Sequence, residues 1–284
     1  MSSQLLSSKV VSSLPENQAR EGFSELARSI PMNLRHILTI LAVLVVIAVN
    51  GLAETLPLNG QSTKQISDSF PVLFTPAGYV FSIWGLIYLG LVGFAIYQAL
   101  PAHRSDPRLA QISPWFLASC VFNCAWIFLW HYNLYPLTLL AMLGLLVSLI
   151  GIYQRLEIGL RRVSPQENAL VSLPFSVYLG WISVATIANF SIVLYDLKWN
   201  ALGVSPVIWT FIVLSVAVLL GAAMIRLRRE IAYPLVLIWA FVGIAVQQAA
   251  TPLVVAFALL AALAVAALLV YSRLARITNS TAFR

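Results

Sequence analysis

The sequence predicts an all-α protein, a polytopic membrane helix bundle with eight transmembrane helices. Three observations carry this reading. Hydrophobic residues make up 60% of the chain and charged residues 10%, with a mean hydropathy of +0.89, whereas a soluble domain carries roughly a quarter charged residues. The charges also sit in short clusters between long uncharged intervals, and a spanning helix needs about 20 mostly apolar residues. Cutting those intervals into eight spans, finally, sorts the basic residues onto one side of the bilayer.

The elements follow in order. Residues 1–35 are Ser-rich and mix Glu with Arg; they read as a cytoplasmic tail, with a surface amphipathic helix around Glu21 to Ile30 as the alternative. The first span is the run "HILTILAVLVVIAVNGLA" between Arg35 and Glu54, a retained helix too deep in the chain for a cleaved signal peptide. The loop from Thr55 to Leu73 is the longest extramembrane connection, and loops of that length are often lids. A second span runs from about Pro76 to Ala99. The uncharged interval from Leu109 to Gln154 is too long for one crossing, and "HYNLYP" at His131 to Pro136 divides it into spans three and four. Span five runs from Leu170 to Tyr195 and span six from Val204 to Ile225. The interval Ile231 to Ser272 is divided by "QQAATP", whose Pro252 suits a helix start.

With the N-terminus inside, the cytoplasmic segments hold every basic residue except Lys64 and Lys198. One helix more or fewer would scramble this sorting. Both termini are therefore expected in the cytoplasm, of a bacterial plasma membrane by expectation. The net charge of +7 is spread along the membrane edge, where it orients the chain and meets anionic lipid. It does not indicate nucleic acid.

Several function classes lose support. No ionisable residue falls mid-span, as an ion-coupled carrier would keep. His36, His103 and His131 fall at span ends without metal-site spacing; His131 as a haem ligand is a reading weighed against a plain interfacial histidine. Cys120 and Cys124, at i and i+4, are poorly placed for a disulfide. No nucleophile has a base beside it, so no catalytic residue and no metal ligand is assigned, and no cofactor is required.

What remains is amides and aromatics. Asn50, Asn123 and Asn189 lie in the outer halves of spans one, three and five and need partners in hydrocarbon, either one another or a guest. Trp115, Trp130 and Trp199 fall where an interfacial belt would put them, while Trp84, Trp126 and Trp181 lie deeper. Phe81, Trp84 and Tyr88 follow i, i+3, i+7, which makes one helical stripe. Asn123, Trp126 and Trp130 repeat that spacing. Tyr178, Trp181 and Ala185 do so on span five, with Asn189 near the same face. Three aromatic faces at overlapping depth can line a cavity for a flat, apolar ligand; the competing reading is that they only pack against one another.

These residues resemble the translocator protein family, the tryptophan-rich sensory proteins known as TspO/MBR. Phe74, Thr75, Pro76, Tyr79, Phe81, Trp84 and Tyr88 are similar to the pattern that opens its second helix. Asn123 and Trp126 resemble its third-helix motif, and Trp181, Ser183, Ala185, Thr186 and Asn189 match its fifth-helix motif in spacing. The resemblance covers about residues 36–200, a five-helix domain, and leaves residues 201–284 as three additional helices with a short cytoplasmic tail. It implies porphyrins such as haem, or sterols, as candidate ligands.

The expected function is a membrane binding or sensor protein for a hydrophobic planar small molecule, at a site formed by Phe81, Trp84, Tyr88, Asn123, Trp126, Tyr178, Trp181, Ala185 and Asn189. The alternatives are a carrier of a neutral amphipath and a porphyrin-degrading enzyme. Membrane lipid is the other expected partner. Small faces at Ala217, Gly221 and Gly243 are expected to serve close helix contact or a homodimer.

Overall fold

The structure, a computed structural model, describes residues 32–56 and 58–281. The alternatives for Glu21 to Ile30 lie outside the described residues. The described chain is helical with no strand. Its helices are α1 (Leu34–Thr55), α2 (Ile83–Ala99), α3 (Pro107–His131), α4 (Tyr135–Arg155), α5 (Leu173–Asp196), α6 (Pro206–Leu227), α7 (Ala232–Gln247) and α8 (Pro252–Thr281). Seven of the eight helical segments are long and apolar enough to cross a membrane. The exception is α7, whose 16 residues reach about 24 Å, short of a hydrocarbon core of about 30 Å.

The starts of the helices follow from their sequences. Pro stands in the first turn of α3, α4, α5 and α6, where its missing N–H costs nothing. Asp106 caps α3 by accepting from the Arg108 N–H at 2.8 Å. The second span departs most from simple expectation. Pro76 cannot donate, the Ala77 N–H reaches across to the Gly243 carbonyl of α7 at 3.0 Å, and a 3₁₀ turn, Gly78–Ser82, leads into α2. The fifth span starts earlier than Leu170, at the helical turn Pro165–Glu167, and passes through a π-helical turn at Asn168–Ser172 before α5.

Lipid tails are as apolar as Leu, so close packing and polar contacts hold such helices together. Small residues mark the crossings. A side chain on Gly90 of α2 would meet Pro174 of α5 at 2.8 Å, and one on Gly144 of α4 would meet Phe122 of α3 at 2.6 Å. At the basic end, Arg108 forks onto Glu167 at 2.7 and 3.3 Å and onto Asp106 at 2.8 Å, joining the start of α3 to the approach to α5.

Helix α5 is the centre of the bundle and the most buried span, packed against α2 and α4 on one side and α7 on the other. Gly180 lets α7 approach, because a Cβ there would lie 3.2 Å from the Tyr233 carbonyl oxygen. Helices α6 and α8 then pack on α7. Gly221 meets Leu237 and Val265 in this way, so the small face with Ala217 is spent on contact within the chain.

Two expectations are corrected. His36 and His131 do sit at helix ends, but both are fully buried. His131 Nδ1 bonds the Ile127 carbonyl at 2.8 Å, and the His131 carbonyl accepts from Asn59 of the long loop at 3.0 Å. That loop folds down over the helix end and removes His131 from the interface. It removes Trp130 as well: this residue is 2% exposed and donates from Nε1 to the Thr63 carbonyl at 3.2 Å, so it is no belt residue.

Candidate functional site

The aromatic stripes of α2, α3 and α5 converge at the end of the bundle opposite the arginine-rich face. Phe81 lies on the 3₁₀ turn rather than on α2, yet it stays on the stripe face and meets Trp181 edge to face at 5.6 Å between centroids. Trp84 stacks on Tyr88 at 5.6 Å and meets Trp181 edge-on at 6.3 Å. Trp126 stacks on Trp130 at 5.1 Å.

Two cavities open between these rings. The larger, about 240 Å³, has Asn50, Glu54, Lys64, Trp84, Tyr88 and Trp126 in its walls. The smaller, about 50 Å³, is bounded by Trp126, Trp130, Met142, Trp181, Ala185 and Asn189. Thr63, Phe81, Trp84 and Trp126 line both, so the two are lobes of one site divided by an aromatic partition.

The amides form the frame behind it. Asn50 donates to Asn123 Oδ1 at 2.7 Å and to the Val46 carbonyl at 2.8 Å, and Asn123 donates to the Tyr178 hydroxyl at 3.1 Å. This chain joins α1, α3 and α5. Asn189 accepts from Trp126 Nε1 at 3.1 Å and donates to Thr138 at 2.8 Å, joining α3, α5 and α4. Buried polar groups are costly unless paired, and here they are paired with one another.

Of the nine residues assigned from the sequence, Phe81, Trp84, Tyr88, Trp126, Trp181, Ala185 and Asn189 line a lobe. Asn123 and Tyr178 line neither and belong to the frame. The Trp181 indole stands apart from the others: it is 3% exposed, lines the smaller lobe, and among the described residues its buried Nε1 donor has no acceptor.

Sequence reasoning missed Trp130, Thr63, Lys64 and Glu54. For Trp130 the signal was present, since Asn123, Trp126 and Trp130 share one stripe. Glu54 comes from the last turn of α1, beside the long loop, and Thr63 and Lys64 come from the loop itself, which has no helical period to read. Its short helix, Thr63–Asp68, is capped by Ser62 in a reciprocal pair with Gln65, at 3.3 and 2.8 Å. Glu54 holds it by accepting from the Thr63 N–H at 3.3 Å.

Among the described residues no three His, Cys, Asp or Glu cluster as metal ligands, and neither lobe has a His or Cys in its lining. The lining offers aromatic faces, the buried unpaired indole N–H of Trp181 and, at the larger lobe, the carboxylate of Glu54 and the ammonium of Lys64, which is paired with Asp68.

Neither the curated proteins nor the solved structures give a match to the chain. A protein-family profile described as TSPO-like protein matches residues 36–271, running through the last three helices as well as the first five. The convergence of the second-, third- and fifth-helix motifs on one site and this match over most of the chain lead to the same conclusion: the protein is a multi-pass helical membrane protein that belongs to the TSPO-like family.

Proposed function

We propose that the protein binds a flat, largely apolar ligand between α2, α3 and α5, at the end of the bundle covered by the Thr63–Asp68 helix. The observation that carries this reading is the Trp181 indole N–H. A buried donor left unsatisfied costs about 1–3 kcal/mol, and a ligand with an acceptor atom in the smaller lobe would recover it. Tetrapyrroles and sterols are the candidate classes.

The donor set favours a ring that needs no axial metal ligand, because neither lobe presents a His or Cys. Metal-free protoporphyrin meets that condition, with a carboxylate to share or replace Asp68 as the partner of Lys64 at the lid. Ordinary ligand pockets measure about 300–1,000 Å³, so a macrocycle requires the lobes to merge. Of the two indoles in the partition, Trp126 is fixed by its bond to Asn189, whereas Trp84 is held by ring contacts. Rotation of Trp84 is the proposed opening motion. The arginine-rich face and both termini face the cytoplasm in this reading.

The test is a protoporphyrin titration of the purified protein, read by quenching of its Trp fluorescence. Trp84→Ala and Trp181→Ala are expected to weaken binding at least about tenfold while the amount of folded protein in the membrane stays unchanged. Equal affinity in the wild type and both variants would exclude the site.

A further inference from the structure

A second cavity, of about 350 Å³, lies at the arginine-rich end, on the far side of the bundle from the aromatic lobes. Four separate pieces of chain build it: the α4–α5 connection, the approach to α5, the α6–α7 turn and α8. One close contact and one unusual turn conformation bring the connections together. Gly159, at φ +81°, packs so tightly that a Cβ would lie 1.8 Å from the Arg228 carbonyl oxygen. Arg229 takes φ +55°, a left-handed conformation uncommon away from Gly.

Arg161, Arg229 and Arg273 line this cavity, and the Arg229 carbonyl accepts from Arg273 Nη2 at 3.2 Å. The acid in the lining is Glu230, and its carboxylate is already saturated. One oxygen accepts from Tyr153 at 2.8 Å and Ser176 at 2.7 Å; the other accepts from the N–H groups of Ile231 and Ala232 at 2.8 and 3.1 Å. Among the described residues none of the three guanidinium groups has a carboxylate partner. The π-helical turn at Asn168–Ser172, a feature frequent at functional sites, places Asn168 and Ser172 in the same wall. The remaining wall is apolar, with Leu173, Ile231 and Leu235.

We infer that this cavity binds the phosphate of a membrane phospholipid headgroup. Positive-inside sorting accounts for arginines in these connections, but it requires no cavity, no saturated acid and no apolar wall beside them. Three forked donors suit a phosphate, and basic pockets between helices at a membrane edge recognise anionic headgroups. The apolar wall argues for a lipid over a free phosphate, since a soluble anion has nothing to place against Leu173 and Leu235. This site is independent of the aromatic one.

The full-length protein, purified in a neutral detergent, is to be titrated with phosphatidylglycerol, with phosphatidylcholine, and separately with glycerol 3-phosphate and inorganic phosphate, with bound molecules counted by native mass spectrometry. The expected result is one retained phosphatidylglycerol per chain. It should be lost at least about tenfold in the variant Arg161→Gln/Arg229→Gln/Arg273→Gln and kept in Arg155→Gln/Arg162→Gln/Arg226→Gln, which removes as many charges outside the cavity. Arg161→Gln alone, at an exposed side chain, gives the same comparison if the triple variant does not fold, with a smaller loss. Competition by glycerol 3-phosphate and inorganic phosphate at equal concentration would keep the phosphate chemistry and assign the source to solution. Equal retention in the cavity and control variants, or equal loss in both, would overturn the inference.

Discussion

Trp126 and Trp181 face the same small lobe, and one hydrogen bond separates what they do there. Trp126 donates to Asn189, so Trp126→Phe strands a buried carbonyl and should lower stability by about 1–3 kcal/mol, read as thermal unfolding in detergent. Trp181 donates to nothing among the described residues, so losing its N–H should by itself leave stability unchanged or slightly higher. Asn123 is a frame residue in the same sense. Asn123→Leu removes the partners of both Asn50 and Tyr178, and interhelical bonds of this kind contribute on the order of 0.6–2 kcal/mol each. An Asn50→Leu, Asn123→Leu double-mutant cycle should return a coupling in that range; a coupling near zero would show the pair to be incidental. The aromatic spacing made the lining residues legible from sequence. It could not separate lining from frame, because Tyr178 sits on the same stripe as Trp181 and only its turn toward Asn123 takes it out of the site.

At the scale of elements, the contact of most consequence is between α7 and the segment that leads into α2. The Gly243 carbonyl accepts from the Ala77 N–H, Trp239 Nε1 donates to the Val80 carbonyl at 3.3 Å and its ring meets Tyr79 edge-on at 5.1 Å. Tyr79 thus faces α7, while Phe81, two residues on, faces the lobes. A Cβ on Gly243 would come within 2.1 Å of Val80 Cγ2, so Gly243→Ala should destabilise by about 1–3 kcal/mol and weaken ligand binding by displacing Phe81. Val80→Ala in the same chain should restore part of both, measured as melting temperature and protoporphyrin affinity. The existence of the eight helices was readable because uncharged length is a strong signal, whereas the 3₁₀ entry to the second span and the early start of the fifth were not. Gly243 was readable as a small face but not as a support for the site. Nothing local in either segment records that residues 77 and 243 touch, and the α7 span is short enough to depend on such contacts.

For the molecule as a whole, the aromatic site and the arginine-lined cavity lie at opposite ends of one bundle, and α5 runs from one to the other. The π-helical turn precedes α5 at the basic end, and Trp181, Ala185 and Asn189 lie farther along it. The proposed orientation, basic face in the cytoplasm, predicts that a membrane-impermeant maleimide applied to intact cells labels Lys198→Cys and spares Arg162→Cys; the reverse pattern would invert the protein. The central claim is that Trp181 holds an unused donor for a ligand. Its most direct test is Trp181→Phe, which removes the N–H together with part of the ring volume, set beside Trp126→Phe, which loses the same volume, with thermal unfolding and protoporphyrin titration of both purified proteins. An unused donor at Trp181 predicts a smaller fall in melting temperature than in Trp126→Phe, together with an affinity loss of about tenfold, the value of one hydrogen bond of about 1.4 kcal/mol. Saturable binding of wild-type strength in Trp181→Phe, or a fall in stability as large as that of Trp126→Phe, would contradict it.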